Sequence, residues 1–155
     1  MSLRVPFVDF KAHVEALRAE LDAALGRVLE SGWFILGHEV EAFERELASS
    51  LGAPEAVAVA NGTVALQLAL TARGVGPGDE VITTSLSAAV TGLAILATGA
   101  RPVFVDVEPD TLNLDPAAAA DAVTPATKAI VPVHLYGHPA DMDPLLALAA
   151  ARGLA

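Results

Sequence analysis

Apolar runs that are each followed by a stretch of helical spacing constrain this chain more than any other feature. "EAVAVA" (Glu55–Ala60), "EVITTS" (Glu80–Ser85), "RPVFVDV" (Arg101–Val107) and "KAIVPVHL" (Lys128–Leu135) read as strands. Their apolar residues are nearly continuous, the pattern of a strand covered on both faces. After the first comes a helix over Thr63–Arg73, and after the second a helix over Ala88–Thr98. Asp115-Pro116 and Asp143-Pro144 each combine a capping aspartate with a proline in the first turn and open two more. The alternation predicts an α/β fold, a mostly parallel sheet with helices on both faces. "GVGPGDE" (Gly74–Glu80) supplies the glycines and proline of a turn.

Ahead of this region, Val14, Leu17, Leu21, Leu25 and Val28 recur at spacings of three and four, predicting one amphipathic helix over Lys11–Glu30. A second helix is expected from His38 to Leu51, with Val40, Phe43, Leu47 and Leu51 inward and Gly52 and Pro54 ending it. Between the two, Trp33 and Phe34 are expected to pack beneath a loop, the alternative being exposed aromatics at a dimer contact or a sugar rim.

Of the 155 residues, 54% are hydrophobic and 18% charged, enough for one domain with a core and too apolar for a disordered chain. A formal charge of −10 provides no cationic stripe for nucleic acid and no attraction to anionic lipid. There is no cysteine, so thiol and disulfide chemistry are excluded. The opening residues lack the apolar core of a leader peptide, and "VTGLAILATGA" is too short to span a bilayer, so the expected location is the cytoplasm.

Asn61-Gly62-Thr63 stands where a strand should hand over to a helix. The first N–H groups of a helix have no backbone partner and lie at the positive end of its dipole. A phosphate there gains several hydrogen bonds without a lysine. Gly62 would allow close approach and a positive φ, and Thr63 could add a hydroxyl. From these residues alone, a plain N-cap and an anion cup both remain open.

The wider sequence bears on the choice. "FILGHEVEAFERELA", "ANGTVALQLAL", "GVGPGDEVITTS", "GARPVFVDVEPDTLNLDP" and "VTPATKAIVPVHLYGHPADMDPLLALA" occur in order. Together they resemble the DegT/StrS family of pyridoxal-phosphate-dependent sugar aminotransferases, over nearly the whole chain. The resemblance implies that residues 1–155 form the N-terminal part of a fold-type-I aminotransferase large domain, incomplete here. It implies pyridoxal 5'-phosphate as cofactor, its phosphate held by Gly62, Thr63 and the N–H of Val64. It also implies a homodimer that transfers an amino group from glutamate to a nucleotide-linked keto sugar.

Two departures from the family pattern stand out. An aromatic residue usually lies over the cofactor ring, and its place falls on Ala88, whose methyl group cannot stack. Leu86 is placed to fill part of the gap. The family's catalytic lysine and the carboxylate beside the pyridine nitrogen both follow the "PADMD" region, and no catalytic residue is assigned in this chain. The two lysines present, Lys11 and Lys128, start a helix and a strand. Ligands of parallel sheets bind at the carboxyl ends of strands, so Lys128 is expected at the wrong edge. Leu154-Ala155 resembles the first step of a further strand, which suggests a fragment.

Other groups carry weaker readings. His134, His138, Asp141 and Asp143 invite a metal, but Gly137 and Pro139 disfavour one helix face carrying both histidines, and no metal site is expected. His134 ends a strand at the ligand-bearing edge; it is read as a satisfied core histidine, the alternative being a residue that lines the floor of an active site. Asp106 and Glu108 fit a solvated loop. The glycines of "GVGPGDE" precede a strand, the wrong order for a dinucleotide site. Two alternatives to the aminotransferase remain: a sugar dehydratase of the same lineage, and a non-catalytic α/β interaction fragment.

Overall fold

The computed structural model describes residues 8–155; the leader reading and the start of the "VPFVDFKAH" resemblance fall on residues 1–7, outside that range. The chain divides into two compact units, with the boundary between Ala58 and Val59.

The first unit is helical. α1 (Phe10–Ala16) is capped by Asp9, whose side chain accepts from the Ala12 N–H at 3.1 Å. α2 (Arg18–Ser31) follows after Leu17 and α3 spans His38–Leu51. The single helix expected over Lys11–Glu30 is thus two. At Leu17 the backbone leaves helical geometry (φ −105°, ψ 8°), and its N–H bonds back to Val14 at 3.2 Å, a tightened last turn. The bounds of α3 agree with the expected ones, but its apolar face does not point inward throughout. Ala48 is its one buried residue, while Phe43 and Leu51 stay exposed. Arg27 grips Glu39 through two parallel N–H···O bonds of 2.6 and 2.8 Å, tying α2 to α3.

The second unit is the α/β part. α4 (Gly62–Ala72) leads into β1 (Glu80–Thr84), then α5 (Val90–Ala97), β2 (Arg101–Val105), α6 (Pro116–Asp121), β3 (Thr127–Val131) and α7 (Met142–Arg152). The three strands are parallel in the order β2-β1-β3. Ala155 continues the sheet beyond β3: its N–H donates to Lys128 and its carbonyl accepts from Ile130, at 3.0 and 2.9 Å. Among the described residues β3 remains an outer strand, with Ala155 alone bonded to its far side.

Alternation along β1 divides the core in two. Val81 and Ala129 share one face with Leu70, Val75, Ile95 and Ala100. Ile82 and Val105 share the other with Leu114, Ala119 and Leu145. α4 and α5 supply the first cluster, and α6 and α7 the second. This is the expected two-sided covering.

Several boundaries differ from the sequence reading; α5 begins at Val90, not Ala88, and β2 ends at Val105, not Val107. Glu55–Ala60 is not a strand: no described residue pairs with it, and Val57 is 78% exposed. An apolar run becomes a strand only when a neighbour takes up its backbone groups. β3 ends at Val131, because Pro132 has no N–H to continue a ladder. α7 begins at Met142 with Asp141 in the cap position, two residues before the expected Asp143-Pro144 start. Asp115 does cap α6, accepting from the Ala117 N–H at 2.8 Å, with Pro116 in the first turn.

Candidate functional site

The carboxyl edge of the sheet is built from three segments of the second unit: the first turn of α4, the loop after β1 and the loop after β3. Leu70, in the last turn of α4, packs with Val81 and Ala100 near the strand starts. A helix of 11 residues rises about 16 Å. The N-terminus of α4 therefore points to the opposite rim, where parallel sheets receive ligands.

At that N-terminus Asn61 is extended (φ −169°, ψ 172°), and its Oδ1 accepts from the Val64 N–H at 3.0 Å. The Ala65 N–H donates to the Asn61 carbonyl, also at 3.0 Å. The N–H groups of Gly62 and Thr63 have no acceptor among the described residues. Cap and open amides thus coexist: Val64 is taken up by the cap, and the two preceding amides stay free.

Gly62 does not use a positive φ, contrary to expectation; it is the first residue of a regular helix. A Cβ at this position would meet nothing within 4 Å. Neither the backbone nor the packing of this chain requires glycine at 62. Open amides beside this space have the geometry that suits the acceptor oxygens of an anion.

The loop after β1 is shaped by Thr84, a buried residue whose Oγ1 accepts from the Leu86 N–H at 3.2 Å. Ala88 is exposed and lines a cavity of about 400 Å³ with Ser85, Ser87, Thr91, Gly92 and Phe104. No aromatic side chain of this loop stands over it. Gly62, Thr63 and Val64 are in the α4 turn and Ala88 in the β1 loop; this cavity runs along α5 and β2 to Leu96 and Pro102, and none of the three α4 residues lines it.

The loop after β3 is held by Asn113 of the β2–α6 connection, which is 1% exposed and whose side chain makes three bonds. Its Oδ1 accepts from the Leu135 N–H at 3.2 Å, and its Nδ2 donates to the carbonyls of His138 and Pro139, each at 3.1 Å. Sequence reasoning missed this clamp. The only signal was an asparagine between Leu112 and Leu114, where an apolar residue would be expected. Nδ1 of His134 accepts from the N–H of Ala140 at 3.0 Å, while the residue as a whole is exposed. It is satisfied on one nitrogen but is not a core histidine.

Elsewhere, Lys128 is the second residue of β3, at the amino edge, and Lys11 is exposed in α1 beside Glu15. Among the described residues no three His, Cys, Asp or Glu side chains gather in a metal-binding group. Glu108 accepts from the Thr111 hydroxyl at 3.0 Å within its loop. In the first unit, Trp33 and Phe34 are 48% and 68% exposed instead of packed beneath the loop, and Trp33 meets the His38 ring edge-on. No described helix is long and apolar enough to cross a membrane.

Residues 15–155 match the DegT/DnrJ/EryC1/StrS aminotransferase family. The chain belongs to this family. It is 54% identical over 151 residues to the dTDP-3-amino-3,4,6-trideoxy-alpha-D-glucose transaminase of Streptomyces venezuelae, covering 97% of this chain and 40% of that relative. The crystal structure of S. venezuelae DesV with a ketimine intermediate superposes with a TM-score of 0.95 at 54% identity, over 99% of this chain and 41% of that one. The structure of NtdA from Bacillus subtilis with bound cofactor PMP gives a TM-score of 0.88 at 37% identity, over 97% and 35%. The chain therefore spans about 40% of the length of the curated relatives it matches. Within this family the fold is the aminotransferase fold, and the parallel sheet described above is part of it.

Proposed function

We propose that this chain provides the phosphate-binding part of a pyridoxal-phosphate-dependent aminotransferase acting on a nucleotide-linked keto sugar. The observation that carries this reading is the pair of open amides at Gly62 and Thr63, on the ligand-bearing rim of a chain whose relatives include a dTDP-sugar transaminase. Gly62 and Thr63 donate two N–H groups to the phosphate, and the Thr63 hydroxyl adds a third donor. The Val64 N–H joins them when the exposed Asn61 side chain turns aside. Ala88 lies beside the cofactor ring and leaves room where a stacked aromatic would fill it. When bound, pyridoxal phosphate supplies the electron sink that transamination requires. Glutamate is the amino donor in this reading, and the protein works as a homodimer in the cytoplasm. In this reading neither Lys11, in α1, nor Lys128, at the amino edge of the sheet, holds the cofactor covalently.

Titration with pyridoxal phosphate and, in parallel, with phosphate-free pyridoxal tests the reading. Pyridoxal phosphate is expected to bind saturably and much more tightly. Gly62→Val, whose Cβ meets nothing within 4 Å in the fold, is expected to abolish that preference without unfolding the protein. Equal binding of the two compounds, or stoichiometric borohydride labelling of Lys11 or Lys128, overturns it.

A further inference from the structure

One ring nitrogen of His134 is engaged by its own loop. The group in front of Nδ1 is the N–H of Ala140, which can only donate. Nδ1 must therefore offer its lone pair, and the ring proton sits on Nε2. Ala140 is 3% exposed, so its N–H depends on this acceptor. The Nε2–H has no acceptor among the described residues. The loop that carries the ring is fixed from beneath by the three bonds of Asn113. It follows β3, an outer strand of the described sheet, and so lies at the carboxyl edge.

We infer that His134 is a ligand-positioning donor: its Nε2–H, aimed by the Ala140–Nδ1 bond, hydrogen-bonds an acceptor oxygen of the molecule bound at this rim. The inference rests on the reading of the rim as a pyridoxal phosphate and keto-sugar site. That oxygen belongs either to the cofactor or to the sugar, and the two sources separate experimentally.

Two substitutions divide the roles of the ring. His134→Asn puts an amide oxygen near the place of Nδ1, keeping the acceptor for Ala140 and removing the distal donor. His134→Gln puts an amide nitrogen near the place of Nε2, keeping the donor and losing the acceptor. In the full-length protein, H134N is expected to unfold at nearly the parent temperature, and H134Q at a lower one. If the acceptor is on the cofactor, the half-saturating pyridoxal phosphate concentration, read from its visible absorbance, rises about tenfold in H134N and little in H134Q. If it is on the sugar, cofactor binding stays at the parent value in H134N and KM for the keto sugar rises about tenfold, with a smaller change in kcat. Ligand constants unchanged in H134N, or altered equally in both variants, overturn the inference and leave a structural histidine. A parent protein that binds no pyridoxal phosphate overturns the site reading itself.

Discussion

At the scale of single residues, two asparagines carry more than their composition suggests. Asn61 completes the first turn of α4 through the Val64 N–H, and it borders the two amides assigned to the phosphate. Replacing it by alanine removes the cap and is expected to cost about 1 kcal/mol in urea unfolding. Asn61→Asp caps as well as asparagine, so stability should hold, but a fixed negative charge then lies beside the incoming phosphate. Pyridoxal phosphate affinity should fall in that variant while pyridoxal affinity does not; an equal fall in both would separate Asn61 from the anion. Asn113 is the opposite case, a buried amide with all its bonds inside the protein. Asn113→Ala leaves the Leu135 N–H and two carbonyls without partners and is expected to destabilise by about 2–3 kcal/mol. A change under 0.5 kcal/mol in urea unfolding would mean that water replaces the clamp. The sequence made the first asparagine legible, because a cap is a local event set by the next three residues. It hid the second, because Asn113 bonds residues 22 to 26 positions further on.

At the scale of elements, legibility follows the same division between local and distant partners. α3 ended at the expected Gly52 and α6 began at the expected Asp115-Pro116, since apolar spacing and capping are properties of a short window. Glu55–Ala60 did not, because a strand is made by its neighbour and none is described. The cap of α7 slipped by two residues because Asp141 and Asp143 carry the same chemistry, and only the backbone at Asp141 (φ −69°, ψ 97°) tells them apart. The α5–β2 connection offers a direct test of local geometry. Gly99 sits at φ +86°, and a Cβ there would come within 2.8 Å of Pro77 Cγ. Gly99→Ala therefore meets both the left-handed backbone penalty and a steric contact, for an expected loss of about 1–2 kcal/mol. Because Ala100 is part of the core beside Val81, thermal unfolding should show the loss; an unchanged midpoint would mean that the Pro77 turn yields freely.

At the scale of the whole molecule, the two rims of the sheet do different work. The carboxyl rim holds the open amides, Ala88 and His134. The amino rim holds Glu80, which binds Arg101 at the start of β2 and accepts from the Thr124 hydroxyl just ahead of β3. One carboxylate thus ties the beginnings of all three strands together, away from the candidate chemistry. The Thr124 hydrogen bond first, and Arg101 second, hold the Glu80 carboxyl below its ordinary range. A carboxyl lowered in the folded state stabilises the fold in full above its unfolded value of about 4.3, and that contribution fades as pH falls through the lower folded value. Glu80→Gln has no proton to bind in this interval. Urea midpoints of the parent and of E80Q should therefore differ most near neutral pH and converge in strong acid, with cofactor affinity at neutral pH the same in both. A gap that stays constant from pH 7 down to about pH 3 would mean that the tie acts through shape rather than charge. A parallel loss of pyridoxal phosphate binding would mean that the two rims are coupled.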